Sequence, residues 1–163
     1  MSRYSEVLSN KSGQYLLISS FPARMAYGMI SLSIFFKVQQ TTGSIAIAGL
    51  ATGVNGITGA TTAGLRGTLI DKFGMKIPLR SLTLVYALLM LLFATGTTSS
   101  ELVLFAAILG LFAPPINLTI RPLWKVTVPH SEIRTAYAID TAVMNSVGIF
   151  GPLIATSVAL SNS

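Results

Sequence analysis

Apolar positions fall into five long runs separated by short polar interruptions, and runs of that length predict helices rather than strands. They cover about residues 15–36, 44–65, 79–95, 101–120 and 136–160. Each is close to the roughly 20 residues that a helix needs to cross a hydrocarbon core of about 30 Å. No linker or low-complexity tract separates them, so 1–163 reads as one all-α, polytopic transmembrane domain.

The runs differ in character. The second carries Gly49, Gly53, Gly56, Ala60, Ala63 and Gly67 at spacings of three or four, a strip of small residues that lets another backbone approach closely in lipid. The third is bulky all round, from Leu82 through Leu88 to Phe93, and is expected to face lipid. The fourth contains Pro114-Pro115, and the fifth contains Gly148 and Gly151-Pro152. Those residues weaken the helical ladder in mid-membrane, which is tolerated where a neighbouring helix or a cavity satisfies the freed carbonyls.

Composition sharpens the membrane reading. The chain is 52% hydrophobic and 10% charged, with a mean hydropathy of +0.70, whereas soluble domains carry about 25% charged residues. The net charge of +6 does not point to nucleic acid, because the basic residues sit between the apolar runs. Arg3 and Lys11 precede the first run, Lys37 follows it, Arg66, Lys72, Lys76 and Arg80 follow the second, and Arg121, Lys125 and Arg134 follow the fourth. Nine against one places the N-terminus in the cytoplasm by the positive-inside rule. Five spans then put the C-terminus on the extracytoplasmic side of a cell (inner) membrane. Polar Met1 to Gln14 and the poor cleavage site at Ala23-Arg24-Met25-Ala26 argue against a signal peptide.

Zero cysteines remove disulfides and thiolate chemistry, and His130 has no second histidine or cysteine with which to hold a metal. No Gly-rich nucleotide loop or Ser-His-Asp set is present. Neither a cofactor nor an enzymatic activity is indicated.

Two charges lie well inside the runs, away from their first residues. Arg24 is near the middle of the first, where an ionised side chain costs at least about 2.5 kcal/mol. Ser20, Tyr27, Gly28 and Ser31 share its face, so that side is expected to meet a cavity or another helix. Asp140 is the only acid well inside a run. It is the candidate proton or cation site and the candidate partner of Arg24. The bland alternatives are an arginine that ties helices together and an acid at the membrane interface. Asn55, Asn117 and Asn145 add polar groups for a cavity or for contacts between helices, and Trp124 fits an anchor at headgroup level.

Between the second and third runs stands Gly67-Thr68-Leu69-Ile70-Asp71-Lys72-Phe73-Gly74-Met75-Lys76. This resembles the signature loop between helices 2 and 3 of the major facilitator superfamily of secondary transporters. Thr42-Gly43-Ser44 with Ala48-Gly49-Leu50 is similar to the start of the family's helix 2, and Gly148-Ile149-Phe150-Gly151-Pro152 is similar to the Gly-Pro motif of helix 5 in antiporter branches. Arg121-Pro122-Leu123-Trp124 resembles the loop before helix 5 in bacterial drug-efflux-like members. The resemblance implies helices 1–5 of a transporter that moves a small solute by alternating access, in the direction of efflux and with proton coupling. It also implies a latch in which Asp71, at the start of the third helix, works with Gly67, Gly74, Lys76 and the basic partner Arg121.

Ala106 stands where proton-coupled members often carry an arginine, and Ala155 and Thr156 replace glycines of the helix-5 motif. Five helices do not close the family's cavity between two six-helix halves, so missing C-terminal helices or a separate partner chain are expected beside lipid and substrate. The alternative is a membrane-embedded accessory subunit that docks through the glycine strip of the second run.

Overall fold

The computed structural model describes residues 3–161; residues 1, 2, 162 and 163, which fall within the single domain expected over 1–163, lie outside the described residues. Among the described residues every regular element is helical: α1 (Arg3–Ser9), α2 (Lys11–Thr42), α3 (Ile45–Phe73), α4 (Lys76–Thr95), α5 (Ser99–Phe112), α6 (Ile116–Thr127), a 3-10 turn at His130–Glu132, and α7 (Ile133–Ser161). The helices overrun the apolar runs, because polar flanks such as Lys11–Gln14 and Arg66–Phe73 continue the helix beyond the apolar stretch. Three stretches are long and apolar enough to cross a membrane, Lys76–Thr95, Ser99–Thr127 and His130–Ser161. Helices α2 and α3 have the length, but serines, threonines, glycines and Arg24 dilute their apolar character.

Local chemistry accounts for the breaks. Gly43 takes φ +68° after α2, and its N–H closes onto Gln39 O at 2.8 Å, the left-handed helix end that glycine adopts without strain. Ser44 then caps α3 by accepting from the N–H of Ile47 at 3.3 Å. Gly74, at φ +75° and ψ 165°, occupies a region almost restricted to glycine. With Met75 it forms the whole connection from α3 to α4, so the expected loop shrinks to two residues. Thr98 and Glu101 form a reciprocal capping box at the start of α5.

The expected continuous helix over 101–120 is two helices. Residues preceding proline are disfavoured in the helical region, and prolines carry no N–H; Ala113 accordingly leaves the helix at φ −56°, ψ 118°, and α6 starts only after Pro115. Arg121 and Lys125, expected in a loop, lie on α6.

The chain divides into two compact units. The first runs as far as Met29 and resumes over Ile116–Ser157. Its apolar core joins Val7 of α1, Ile120 and Trp124 of α6, Val128 and Ala136. Asn10 ties this unit together: its Oδ1 accepts from the N–H groups of Ser12 and Gly13 at 3.0 and 3.2 Å, starting α2, while its Nδ2 donates to Thr127 O at 3.4 Å.

The second unit contains Ile30–Pro115 and the end of α7 from Val158. Its core joins Ile30, Ile34 and Val38 to Ala48, Ala51, Phe93, Leu102, Ala106 and Leu109. Helix α3 packs mainly on α5. Helix α4 buries only Pro78 and Phe93 and leaves Leu84, Leu88 and Leu91 exposed. In lipid such a surface carries no penalty.

Candidate functional site

Within the first unit α2 and α7 meet at glycine. A side-chain carbon at Gly151 would lie 2.8 Å from Gly28 C, and one at Gly28 would lie 2.9 Å from Val147 O. Only backbones without side chains fit there. Gly148 has open space around it, and α7 runs unbroken through Pro152. Of the helix-bend set, Gly151 therefore makes the close contact.

One turn before Gly28, the close approach lets Arg24 reach Asp140. Arg24 Nη2 donates to Asp140 Oδ1 at 2.6 Å, with both side chains buried. The indole Nε1–H of Trp124 donates to the same oxygen at 3.1 Å. Trp124 is fully buried rather than an interfacial anchor, because its N–H finds a carboxylate inside the unit. Arg121, 56% exposed, brings its Nε to 4.0 Å from Asp140 Oδ2. It flanks this acid within the first unit, whereas Asp71 belongs to the second.

The cluster is not saturated. Arg24 Nε and Nη1 and Asp140 Oδ2 are buried without a hydrogen-bond partner. One carboxylate oxygen accepts twice and the other accepts nothing, so the guanidinium grips its counter-ion by a single nitrogen. A buried pair of this kind stands only while both charges remain. A proton on Asp140, or a competing anion on Arg24, removes the reason for it.

The remaining expected residues scatter. Asn55 Nδ2 donates to Ala106 O at 2.8 Å and thus joins α3 to α5. Asn145 is exposed on α7. Asp71, expected at the start of the third helix, lies in the last turn of α3, exposed, with Gly67 and Lys72 on the same helix and Lys76 opening α4. The helix outlasts the apolar run because nothing from Arg66 to Phe73 breaks it.

Residues 16–163 match the Major Facilitator Superfamily. The chain belongs to that superfamily. No curated protein and no solved structure matches it. Membership points to a membrane transporter, with a bilayer around it and a small molecule as substrate.

Two residues to which sequence reasoning gave other roles belong to this architecture. Trp124 adds a second donor to Asp140 Oδ1. Arg66, counted as a cytoplasmic loop charge, is buried on α3 and donates from Nη1 to Gly110 O at 3.1 Å and Ala113 O at 2.5 Å, and from Nη2 to Gly59 O. The signal for it was Pro114-Pro115, which frees carbonyls that something must satisfy. Ala106, where proton-coupled members often carry arginine, is fully buried against α3 and leaves no room for a long side chain.

Proposed function

We propose that this superfamily chain supplies N-terminal helices of a secondary transporter that moves a small solute by alternating access, drug-efflux-like and located in a bacterial inner membrane. In this reading α2, α3, α4, the broken α5–α6 helix and α7 make five crossings, with the N-terminus cytoplasmic and the C-terminus outside. The family's cavity lies between two halves, so further helices complete it. Asp71 with Gly67, Gly74, Lys76 and the basic partner Arg121 forms the cytoplasmic latch.

The observation that carries the reading is the buried, half-satisfied Arg24–Asp140 pair. Ionisable residues at membrane depth are functional sites by default. Asp140 exchanges a proton or cation, and Arg24, released, takes an anionic group of the solute or returns to its acid. Asn55 is assigned to the joint between α3 and α5, and Asn145 to the solute-facing side of α7.

Uptake tests it. The encoded polypeptide in proteoliposomes, offered cationic, anionic and neutral solutes against a pH gradient, is expected to move at least one class, and Asp140→Asn is expected to abolish coupling to the gradient. Coupled transport that survives Asp140→Asn would remove the pair from the mechanism. If no class moves, the transporter reading itself fails.

A further inference from the structure

The end of α5 lacks donors. In an unbroken helix the N–H of residue 114 would reach Gly110 O and that of residue 115 would reach Leu111 O, but both residues are prolines. Ala113 N–H reaches back to Gly110 O at 3.3 Å. Ala113 O, past the last helical residue, has no intrahelical donor of its own.

Helix α3 lines the end of α5 with donors, and at Gly110 O and Leu111 O these stand where the prolines leave none. Asn55 Nδ2 donates to Ala106 O at 2.8 Å, and Thr58 Oγ1 is 2.9 Å from Ala107 O. Thr62 Oγ1, 2.7 Å from Thr58 O on its own helix, lies 3.3 Å from Leu111 O, and Arg66 closes the series on Gly110 O and Ala113 O. These donors recur along one face of α3, and the last is a full positive charge. Nη1 has two hydrogens and meets two carbonyls, one on each side of the point where the helix ends. Nη2 is anchored to Gly59 O on α3 itself.

Arg66 is 7% exposed, and no acid is within ion-pair distance of it among the described residues. Its counter-charge is the negative end of the α5 dipole, carried by the carbonyls it touches. The packing admits nothing larger: a side-chain carbon at Gly110 would collide with Thr58 Oγ1 and Asn55 O.

We propose that Gly59 O, Gly110 O and Ala113 O form a guanidinium-recognition cage, filled in cis by Arg66, which replaces the backbone bond that Pro114 removes at Gly110 O and ties the end of α5 to α3 across the Pro114-Pro115 break. The planar fork is what the cage reads. A compact ammonium carries its hydrogens on one nitrogen and cannot reach, in one plane, the two α5 carbonyls met by Nη1 and the Gly59 carbonyl met by Nη2. Arg66 is thus a positioning residue: it fixes where the fourth apolar run bends, five residues ahead of Asp71. The inference does not depend on which solute is carried.

The test is chemical rescue in nanodiscs, read by thermal unfolding of the full chain. Arg66→Ala is expected to lower the midpoint by roughly 5–10 °C. Millimolar methylguanidinium is expected to recover at least half of that loss, while matched sodium chloride and urea recover none and the unsubstituted chain does not respond. Arg66→Lys is expected to remain lowered. The proposal is overturned if Arg66→Ala melts like the parent, if sodium chloride rescues as well as methylguanidinium, or if Arg66→Lys restores the midpoint.

A second measurement covers the case in which Arg66→Ala does not fold. In a background with Pro114→Ala and Pro115→Ala, the backbone donors return, so removing Arg66 is expected to cost less than half of what it costs in the parent. An undiminished loss in that background, including failure to fold there too, overturns the proposal.

Discussion

Among the described residues each unit buries one arginine, and the two are held in opposite ways. Arg24 faces a carboxylate, with Trp124 donating to the same oxygen and part of the guanidinium left without a partner. Arg66, whose Nε likewise lacks a partner, faces backbone carbonyls at the end of a broken helix. A carboxylate can take a proton or be displaced by another anion; a carbonyl can do neither. The first unit therefore contains an interaction that chemistry can release, and the second contains one that only local unfolding can release. In a transporter those are the properties of a switching element and of a fixed frame.

The largest effect tests the switching side. Asp140→Leu leaves Arg24 buried without its acid and is expected to cost about 3–5 kcal/mol, measured by thermal unfolding in nanodiscs. Adding Arg24→Met removes the stranded charge and is expected to recover most of the loss, since apolar replacements of a buried pair are often neutral or better. If the double variant is no more stable than Asp140→Leu alone, the acid matters through Trp124, and the contrast between the two arginines loses its basis.

A smaller effect concerns glycines, which look alike in sequence and differ in space. Gly151→Ala meets the backbone of Gly28 and is expected to cost about 1–3 kcal/mol by overpacking. Gly148→Ala, three residues away in open space, is expected to be neutral or slightly stabilising. In the second unit Gly53, Gly56 and Gly67 also have nothing within 4 Å, while Gly110 has no room. Equal costs for Gly151→Ala and Gly148→Ala would mean that the α2–α7 approach is looser than a backbone contact.

That pattern also shows what was legible beforehand. The apolar runs announced the helices, because length and hydropathy are properties of the chain itself. Arg24 and Asp140 were legible as partners, being the two opposite charges well inside the runs rather than at their ends. Arg66 was not: the apolar run ends at Leu65 while the helix continues to Phe73, so a buried charge looked like a loop charge. The face of α3 that packs on α5 was not singled out, for a related reason. The glycine strip catches the eye, but the face that meets α5 carries Ala48, Ala51, Asn55, Thr58 and Arg66. Its bonds run to backbone carbonyls, which sequence displays only where proline frees them.

The smallest effect on stability belongs to the other acid, and its sign is informative. Asp71 lies in the last turn of α3, exposed, beside a Lys72 whose ammonium sits 5.5 Å from the Phe73 ring. At the start of a helix a carboxylate is favoured by the dipole; at the end it is disfavoured by about 0.3–1 kcal/mol. Asp71→Asn is therefore expected to leave the midpoint of the chain unchanged or raise it slightly, whereas Asp140→Leu lowers it strongly. The proposed latch would give this acid a favourable partner in another state or another segment. The absence of native cysteines allows the measurement: single cysteines at Ser12 and Thr98, labelled from each side of the membrane, are expected to shift their accessibility ratio in Asp71→Asn. A lowered midpoint with unchanged labelling would make Asp71 a structural acid and take the latch out of the second unit.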